Sequence, residues 1–464
     1  MGTVLTLCSV EFLLVFLPIF IILYWLAPKR TKAFVLLAGS LVFYTLGDYR
    51  YLPFLALSMT VNYLIGLYLG RGKPKWKSEQ RKLLRRKRFW LIAAVAGNVG
   101  ALVLCKFGIG VREIPMGMSF YTFRVLAYLL DVYWEREESE WSFFRFGAYL
   151  IMFPCMTAGP ITLIGQVREA LLRPRVTLSD IQDGCKRLCL GLTAKVLLAD
   201  RLGILWHDVQ VVGFESLTTP YAWMGAIAFS LQLYLDFYGY SLMAIGIGQM
   251  LGFSLPDNFR TPYMSLSVRE FYRRWHMTLG NFFCRYVYIP MGGSREGELC
   301  AIRNLLVVWV LTSLWHGTDP NFLIWGMTLC GLIVIERQVE RIPFMSRLKQ
   351  GWLSIIPRLY VWFVMPITWI SFAVTDVKEL KVYLGRMFGW IPSIATNPLD
   401  WRMALENYWY LLLVGLVCCT PLIRKLYQKW KDSVVGSVLL AVLFWVSIWQ
   451  LQKQGQNPFL YFRF

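Results

Sequence analysis

Two histidines carry most of the chemistry this sequence can offer. His316 lies in Asn304-Leu-Leu-Val-Val-Trp-Val-Leu-Thr-Ser-Leu-Trp-His-Gly317, with no formal charge between Arg303 and Asp319. An imidazole held at membrane depth is costly, which makes it a functional-site candidate by default. It titrates near neutral pH and can take a proton from an attacking group. The bland alternative is a structural histidine bonded to a neighbouring helix. His276 lies forty residues earlier, in Arg273-Arg-Trp-His. Its arginine neighbours should keep the ring neutral, because like charges depress a histidine pKa. It either hydrogen-bonds a ligand or packs at an interface.

Buried carboxylates come next. Asp236, in Leu231-Gln-Leu-Tyr-Leu-Asp-Phe-Tyr, and Asp131, in Leu129-Leu-Asp-Val-Tyr-Trp, interrupt apolar runs. A carboxylate there needs a partner. For Asp236 an arginine of the 260–285 segment is expected. Structural pairing is the first reading for both aspartates and channel lining the second.

The elements that position these groups belong in a bilayer. The 464 residues are 57% hydrophobic, 16% aromatic and only 16% charged, with a mean hydropathy of +0.49. A soluble chain carries roughly a quarter charged residues. Many stretches approach the ~20 apolar residues that span a membrane. Apolar runs fall at about 10–27, 33–47, 51–70, 89–108, 116–134, 143–164, 185–206, 221–252, 304–316, 320–336, 355–374, 407–423 and 434–451. The 221–252 run reads as one element or two. The expected fold is an all-α polytopic membrane protein of about ten to twelve spans.

The net charge of +20 excludes little by itself, but its distribution speaks against nucleic acid. Residues 71–88 hold ten Lys/Arg against one Glu, as cytoplasmic loops do. That basic loop faces anionic headgroups. With the cations at Lys29, Arg30 and Lys32 and at Arg424, Lys425, Lys429 and Lys431, it puts both termini outside. The ten cysteines contain no Cys-x-x-Cys pair, and three histidines make no convincing zinc site, so neither disulfides nor a structural metal is expected. Residues 253–303 are too polar to span and too apolar for a free loop. With seven arginines, interleaved aromatics, prolines and Gly292-Gly293, they suit re-entrant helices that line a cavity.

An ordered set of motifs carries a resemblance. It comprises Leu233-Tyr-Leu-Asp-Phe-Tyr-Gly-Tyr-Ser-Leu-Met-Ala-Ile-Gly-Ile-Gly, Asn258-Phe-Arg-Thr-Pro-Tyr, Phe271-Tyr-Arg-Arg-Trp-His-Met-Thr-Leu, Tyr288-Ile-Pro-Met-Gly-Gly-Ser-Arg and Leu314-Trp-His-Gly. Met118-Ser-Phe-Tyr-Thr-Phe, Ala158-Gly-Pro-Ile161 and the closing Pro458-Phe-Leu-Tyr-Phe-Arg-Phe464 add to it. Together they resemble the membrane-bound O-acyltransferase family over nearly the whole chain. The likeness is strongest to the bacterial alginate O-acetyltransferase branch, which is related to the teichoic acid D-alanyltransferases. Where that branch carries Arg-Asp before Tyr-Ile-Pro, this chain has Cys284-Arg285, which removes a carboxylate from any donor contact there.

The resemblance implies one integral-membrane acyltransferase domain over residues 1–464, a barrel of helices around a channel. It implies transfer of an acyl group, most simply acetyl, from a cytoplasmic thioester to hydroxyls of an extracytoplasmic polysaccharide. His316 matches the general base and His276 an assisting position. Asp236, Asn258, Arg273, Arg274, Trp275 and Trp315 become candidates to hold the donor or line the channel. The arginines either meet the phosphates of the donor or face lipid headgroups. Tyr461, in the aromatic 453–464 tail, is either an acyl relay or an interface anchor. No cofactor is expected to be bound tightly; acetyl-CoA or an acyl-carrier thioester is the donor substrate. Expected partners are the bilayer, the polysaccharide and a periplasmic or extracellular acyltransferase or esterase-like protein. The expected location is the bacterial inner (cytoplasmic) membrane. Alternatives are D-alanyl or other acyl transfer to teichoic acid or peptidoglycan, or a transporter or flippase. The last lacks the repeat of spans common in transporters.

Overall fold

Burial of backbone amides in hydrocarbon leaves only helices to satisfy them locally. The computed structural model describes residues 5–72, 77–109, 114–392, 397–454 and 460, and among them every regular element is helical. Six helical runs are long and apolar enough to cross a membrane: Lys32–Leu69, Lys77–Lys106, Glu298–His316, Pro320–Val339, Gly351–Ala373 and Val434–Lys453. A seventh forms if Asp400–Cys418 and Pro421–Trp430, bent by 77°, act as one. The chain is a multi-pass membrane protein.

The expected runs map onto this set unevenly, for identifiable reasons. Lys32–Leu69 is 38 residues long, ~57 Å if straight and nearly twice a hydrocarbon core. The backbone turns within it, after Asp48. The expected 33–47 and 51–70 runs are therefore two helices, Lys32–Asp48 and Leu52–Leu69, joined by the short turn Tyr49–Tyr51. The 116–134 and 143–164 runs form shorter helices, Met118–Tyr133 and Phe143–Ile151. The 221–252 run is one helix, Thr219–Met250, whose proline, Pro220, sits in the first turn where it is tolerated. Residues 77–88 are not loop: they open the Lys77–Lys106 helix, because Lys, Arg, Glu and Gln are good helix formers.

The chain divides into two compact units, Met1–Leu188 with Ser241–Pro256, and Cys189–Tyr240 with Asp257–Phe464. In the first, Arg124 is fully buried and donates to the carbonyls of Leu150 (2.9 Å) and Cys155. Its charge sits at the C-terminal end of the Phe143–Ile151 helix, where the dipole favours a cation. Asp131 pairs with Arg136 at 3.7 Å, the structural outcome for that carboxylate.

In the second unit a π-helical turn, Ala194–Ala199, presents Lys195 to two carboxylates: Asp200 at 2.6 Å and Asp236 at 2.7 Å. The partner of Asp236 is thus Lys195, not an arginine of 260–285. Gly239 permits the approach, since a Cβ there would sit 2.6 Å from the Gly191 carbonyl and 3.1 Å from the Lys195 nitrogen. Asp236 also accepts the backbone N–H of Leu460 at 2.9 Å.

Candidate functional site

The site is built in the second unit from two short helices and three long ones. Ser267 caps the Val268–Arg274 helix by accepting from Glu270 N, while the Glu270 carboxylate accepts from Leu266 N at 2.8 Å, close to a capping box. Glu336, from the Pro320–Val339 helix, takes the N–H groups of Val268 (2.6 Å) and Arg269 (3.0 Å). This short helix is therefore fixed at its N-terminus by a buried carboxylate. Its last turn aims Arg273 at a cavity.

The chain then turns sharply. His276 has φ 43° and ψ 51°, left-handed geometry that is uncommon for a residue with a side chain. Two backbone bonds hold it, Arg260 N to Arg274 O and Met277 N to Asn258 O, both 2.9 Å. The ring is 3% exposed. Phe237 meets it edge-on at 4.7 Å, and Asn258 Oδ1 lies 3.1 Å from Nδ1. Burial lowers its pKa to about 3, so the ring is neutral at working pH. The direction is the expected one, but the cause is desolvation rather than the neighbouring arginines. Arg274 is engaged by Glu270 at 2.5 Å.

His316 ends the Glu298–His316 helix and is 5% exposed. Trp325 stacks on its ring at 5.0 Å and 20°, Phe372 meets it edge-on at 5.3 Å, and Trp315 lies at 4.6 Å. Gly317 makes this possible: a Cβ there would fall 2.1 Å from the Phe322 ring. The Trp-His-Gly sequence thus places an imidazole at a helix end and lets the next helix close tightly beside it.

Both histidines line one cavity of about 710 Å³. Its wall also includes Trp275, Trp325, Arg269, Arg273 and Arg337. A cavity of this size accepts a drug-sized ligand or one arm of a larger one. It offers two imidazoles, an aromatic wall and guanidinium groups that suit phosphate. That combination can hold an anionic cofactor-like substrate and move a proton beside it.

The other expected site residues divide. Asn258 stands behind His276. Trp315 touches both imidazole rings, at 6.0 Å from His276 and 4.6 Å from His316, but is not in the cavity wall. Arg274 and Asp236 are outside that wall too, each in its own ion pair. Tyr461 and most of the 453–464 tail lie outside the described residues. Cys284 and Tyr288, at the ends of a π-helical turn, are in the wall, while Arg285 stacks on Tyr286 at 5.6 Å. Sequence reasoning missed Arg269, Arg337 and Glu336. Arg269 is one of seven arginines in 253–303 and Arg337 closes an apolar run, so neither stands out by type or spacing. Glu336 carried a signal, as an acidic residue at the end of an apolar run.

A model of the membrane-bound O-acyltransferase family matches residues 81–374. The protein named "Probable alginate O-acetylase AlgI" in Pseudomonas putida is 30% identical, over 98% of this chain and 99% of its own length. Its namesake in Pseudomonas aeruginosa is 35% identical over 84% of this chain and 72% of its own. A peptidoglycan O-acetyltransferase of Helicobacter pylori is 27% identical over 98% and 96%.

Proposed function

The chain belongs to the membrane-bound O-acyltransferase family, and from that premise we propose that it acetylates hydroxyls of an extracytoplasmic polysaccharide from a cytoplasmic thioester. The observation that carries this reading is the single cavity lined by His316, His276 and three arginines. His316 takes the proton of the acceptor hydroxyl as its oxygen attacks the thioester carbonyl carbon. The carbon–sulfur bond then breaks, and the thiolate leaves and is reprotonated. Such general-base help contributes about 10²–10⁴ in rate. Arg269, Arg273 and Arg337 meet the phosphates of acetyl-CoA or of a carrier's phosphopantetheine.

Alginate-like exopolysaccharide is the proposed acceptor, following the names of the relatives that span the chain. Peptidoglycan is the second reading, favoured by the Helicobacter relative. The protein sits in the bacterial cytoplasmic membrane with both termini outside. A periplasmic or extracellular acyltransferase or esterase-like partner completes delivery. Tyr461 serves as the relay: its phenol is the first acceptor hydroxyl, taking the acetyl group from the thioester, and a polymer hydroxyl then attacks this ester carbonyl and releases the phenol.

The test is labelled-acetyl transfer in membranes that contain the protein, with mass spectrometry of surface glycans to identify the acceptor. His316→Ala should reduce transfer by at least about 10²-fold. Tyr461→Phe, which keeps the ring and deletes the nucleophilic hydroxyl, should stop polymer acetylation together with the thioester cleavage that feeds it. Full transfer by His316→Ala would sink the base assignment, and full acetylation by Tyr461→Phe the relay. Glycans that are identical with and without the protein would remove the polysaccharide reading.

A further inference from the structure

Asn258 Oδ1 lies 3.2 Å from Thr278 N, 2.9 Å from Thr278 Oγ1 and 3.1 Å from His276 Nδ1. A backbone N–H is always a donor, so the atom it meets must be an acceptor. This fixes which end of the Asn258 amide faces the ring. An acceptor facing Nδ1 requires Nδ1 to carry the proton. In the neutral ring the lone pair then resides on Nε2.

Nε2 is buried and has no hydrogen-bond partner among the described residues, although the ring it belongs to forms part of the cavity wall. An unmet buried acceptor is costly, and such groups in native structures call for an explanation. The left-handed backbone at His276 adds strain that the fold sustains through the Met277–Asn258 and Arg260–Arg274 bonds. Asn258 is thus tied to the turn twice, once through its carbonyl and once through its side chain.

We propose that Asn258 is a positioning residue that locks His276 as the Nδ1–H tautomer, leaving Nε2 to receive an X–H group of bound substrate. The role for substrate rests on the acyltransferase reading; the tautomer does not. The partner is a neutral hydrogen-bond donor, either the hydroxyl of the acyl acceptor or an amide N–H of the donor's pantetheine arm. In this state His276 has no proton to offer the thioester carbonyl oxygen. It does not stabilise an oxyanion, and that task falls to another group.

The chain holds only three histidines, His207, His276 and His316, so ring nitrogens of the ¹⁵N-histidine-labelled full chain give three spin systems. His276→Gln identifies the relevant one. At pH 7 the expected spectrum shows Nδ1 protonated and Nε2 bare, with Asn258→Leu shifting the balance toward the opposite tautomer. Asn258→Asp keeps an acceptor for all three donors but adds a charge that favours a protonated ring. It should retain transfer within a few-fold, with the acid limb of its pH–rate profile moved to higher pH. Asn258→Leu should lose about tenfold or more. A rise in thioester KM would mean that Nε2 receives the donor's amide. A fall in kcat at constant KM would mean that it receives the acceptor's hydroxyl. A protonated Nε2 at pH 7, or identical activities and pH profiles for the Asp and Leu variants, would overturn the lock. Lack of acyl transfer by the unsubstituted protein would remove only the function reading, and the nitrogen spectrum would still decide the tautomer.

Discussion

At the scale of single residues, the environment of His316 sets what can lie beside it. Trp325 is almost fully buried, stacks on the imidazole and itself packs against Trp309 (5.7 Å) and Trp369 (6.0 Å). An aromatic lattice of this kind fixes ring orientation and blocks space at once. Replacing Trp325 with Leu keeps the surface apolar while removing an indole's bulk. Each methylene in an apolar pocket is worth about 1–3 kcal/mol of discrimination. The variant should therefore lose acetyl transfer modestly and gain butyryl transfer, narrowing the ratio by roughly tenfold or more. Paired assays with acetyl and butyryl thioesters check it, and an unchanged ratio would show that Trp325 does not gauge acyl size. The histidines themselves were legible in the sequence, since ionisable groups in or beside apolar runs are rare enough to stand out. Their wrapping was not: no spacing rule links Trp325, Trp369 and Phe372 to His316 across two further helices. Nor does sequence alone reveal the left-handed backbone of His276, a non-glycine residue in a region where glycine is expected.

At the scale of elements, the Lys195 cluster decides how the π-helical turn and the Thr219–Met250 helix stay together. The lysine is 2% exposed, with two carboxylates within 2.7 Å. Removing one partner of a buried ion pair costs about 3–5 kcal/mol, because the remaining charge is stranded. Lys195→Met strands two carboxylates, whereas Asp236→Asn leaves Lys195 paired with Asp200. Thermal unfolding of the detergent-solubilised chain should accordingly show Lys195→Met as clearly the less stable. The combined Lys195→Met, Asp200→Asn, Asp236→Asn variant should recover part of the loss. Equal destabilisation by both single variants would count against a shared cluster. The sequence announced that Asp236 needed a cation and offered the five arginines of the 260–285 segment, and it misled. The partner comes from forty-one residues upstream, brought close where Gly191 and Gly239 let two backbones approach. Helix existence was readable from apolar runs. Whether the 221–252 run made one element or two was not, because a break in so long a run depends on what packs around it.

At the scale of the whole molecule, charge and titration bear on stability. The Lys77–Lys106 helix has 30 residues, ~45 Å, against a hydrocarbon core of ~30 Å. Its basic first turns therefore extend past the apolar layer, which keeps the positive charge out of hydrocarbon without requiring a loop. Protons act differently, through groups whose affinity changes on folding. His276 is neutral in the folded chain, its pKa lowered by burial to about 3, while an unfolded histidine titrates near 6.5. Between those values the unfolded chain binds a proton that the folded one does not, so stability rises with pH there. The contribution is complete above ~6.5 and is lost as pH falls toward 3. From pH 6.5 to 5 the loss should approach roughly 2 kcal/mol, in a window above the ordinary carboxylate range. Denaturation curves of the parent and His276→Gln between pH 7 and 5 isolate the term. The parent should weaken steadily, while the glutamine variant, which can still donate toward Asn258 but cannot titrate, should hold a flatter profile. Parallel profiles would mean that the ring takes up its proton without leaving the fold, and the neutral imidazole required for the Asn258 lock would then lose its physical basis.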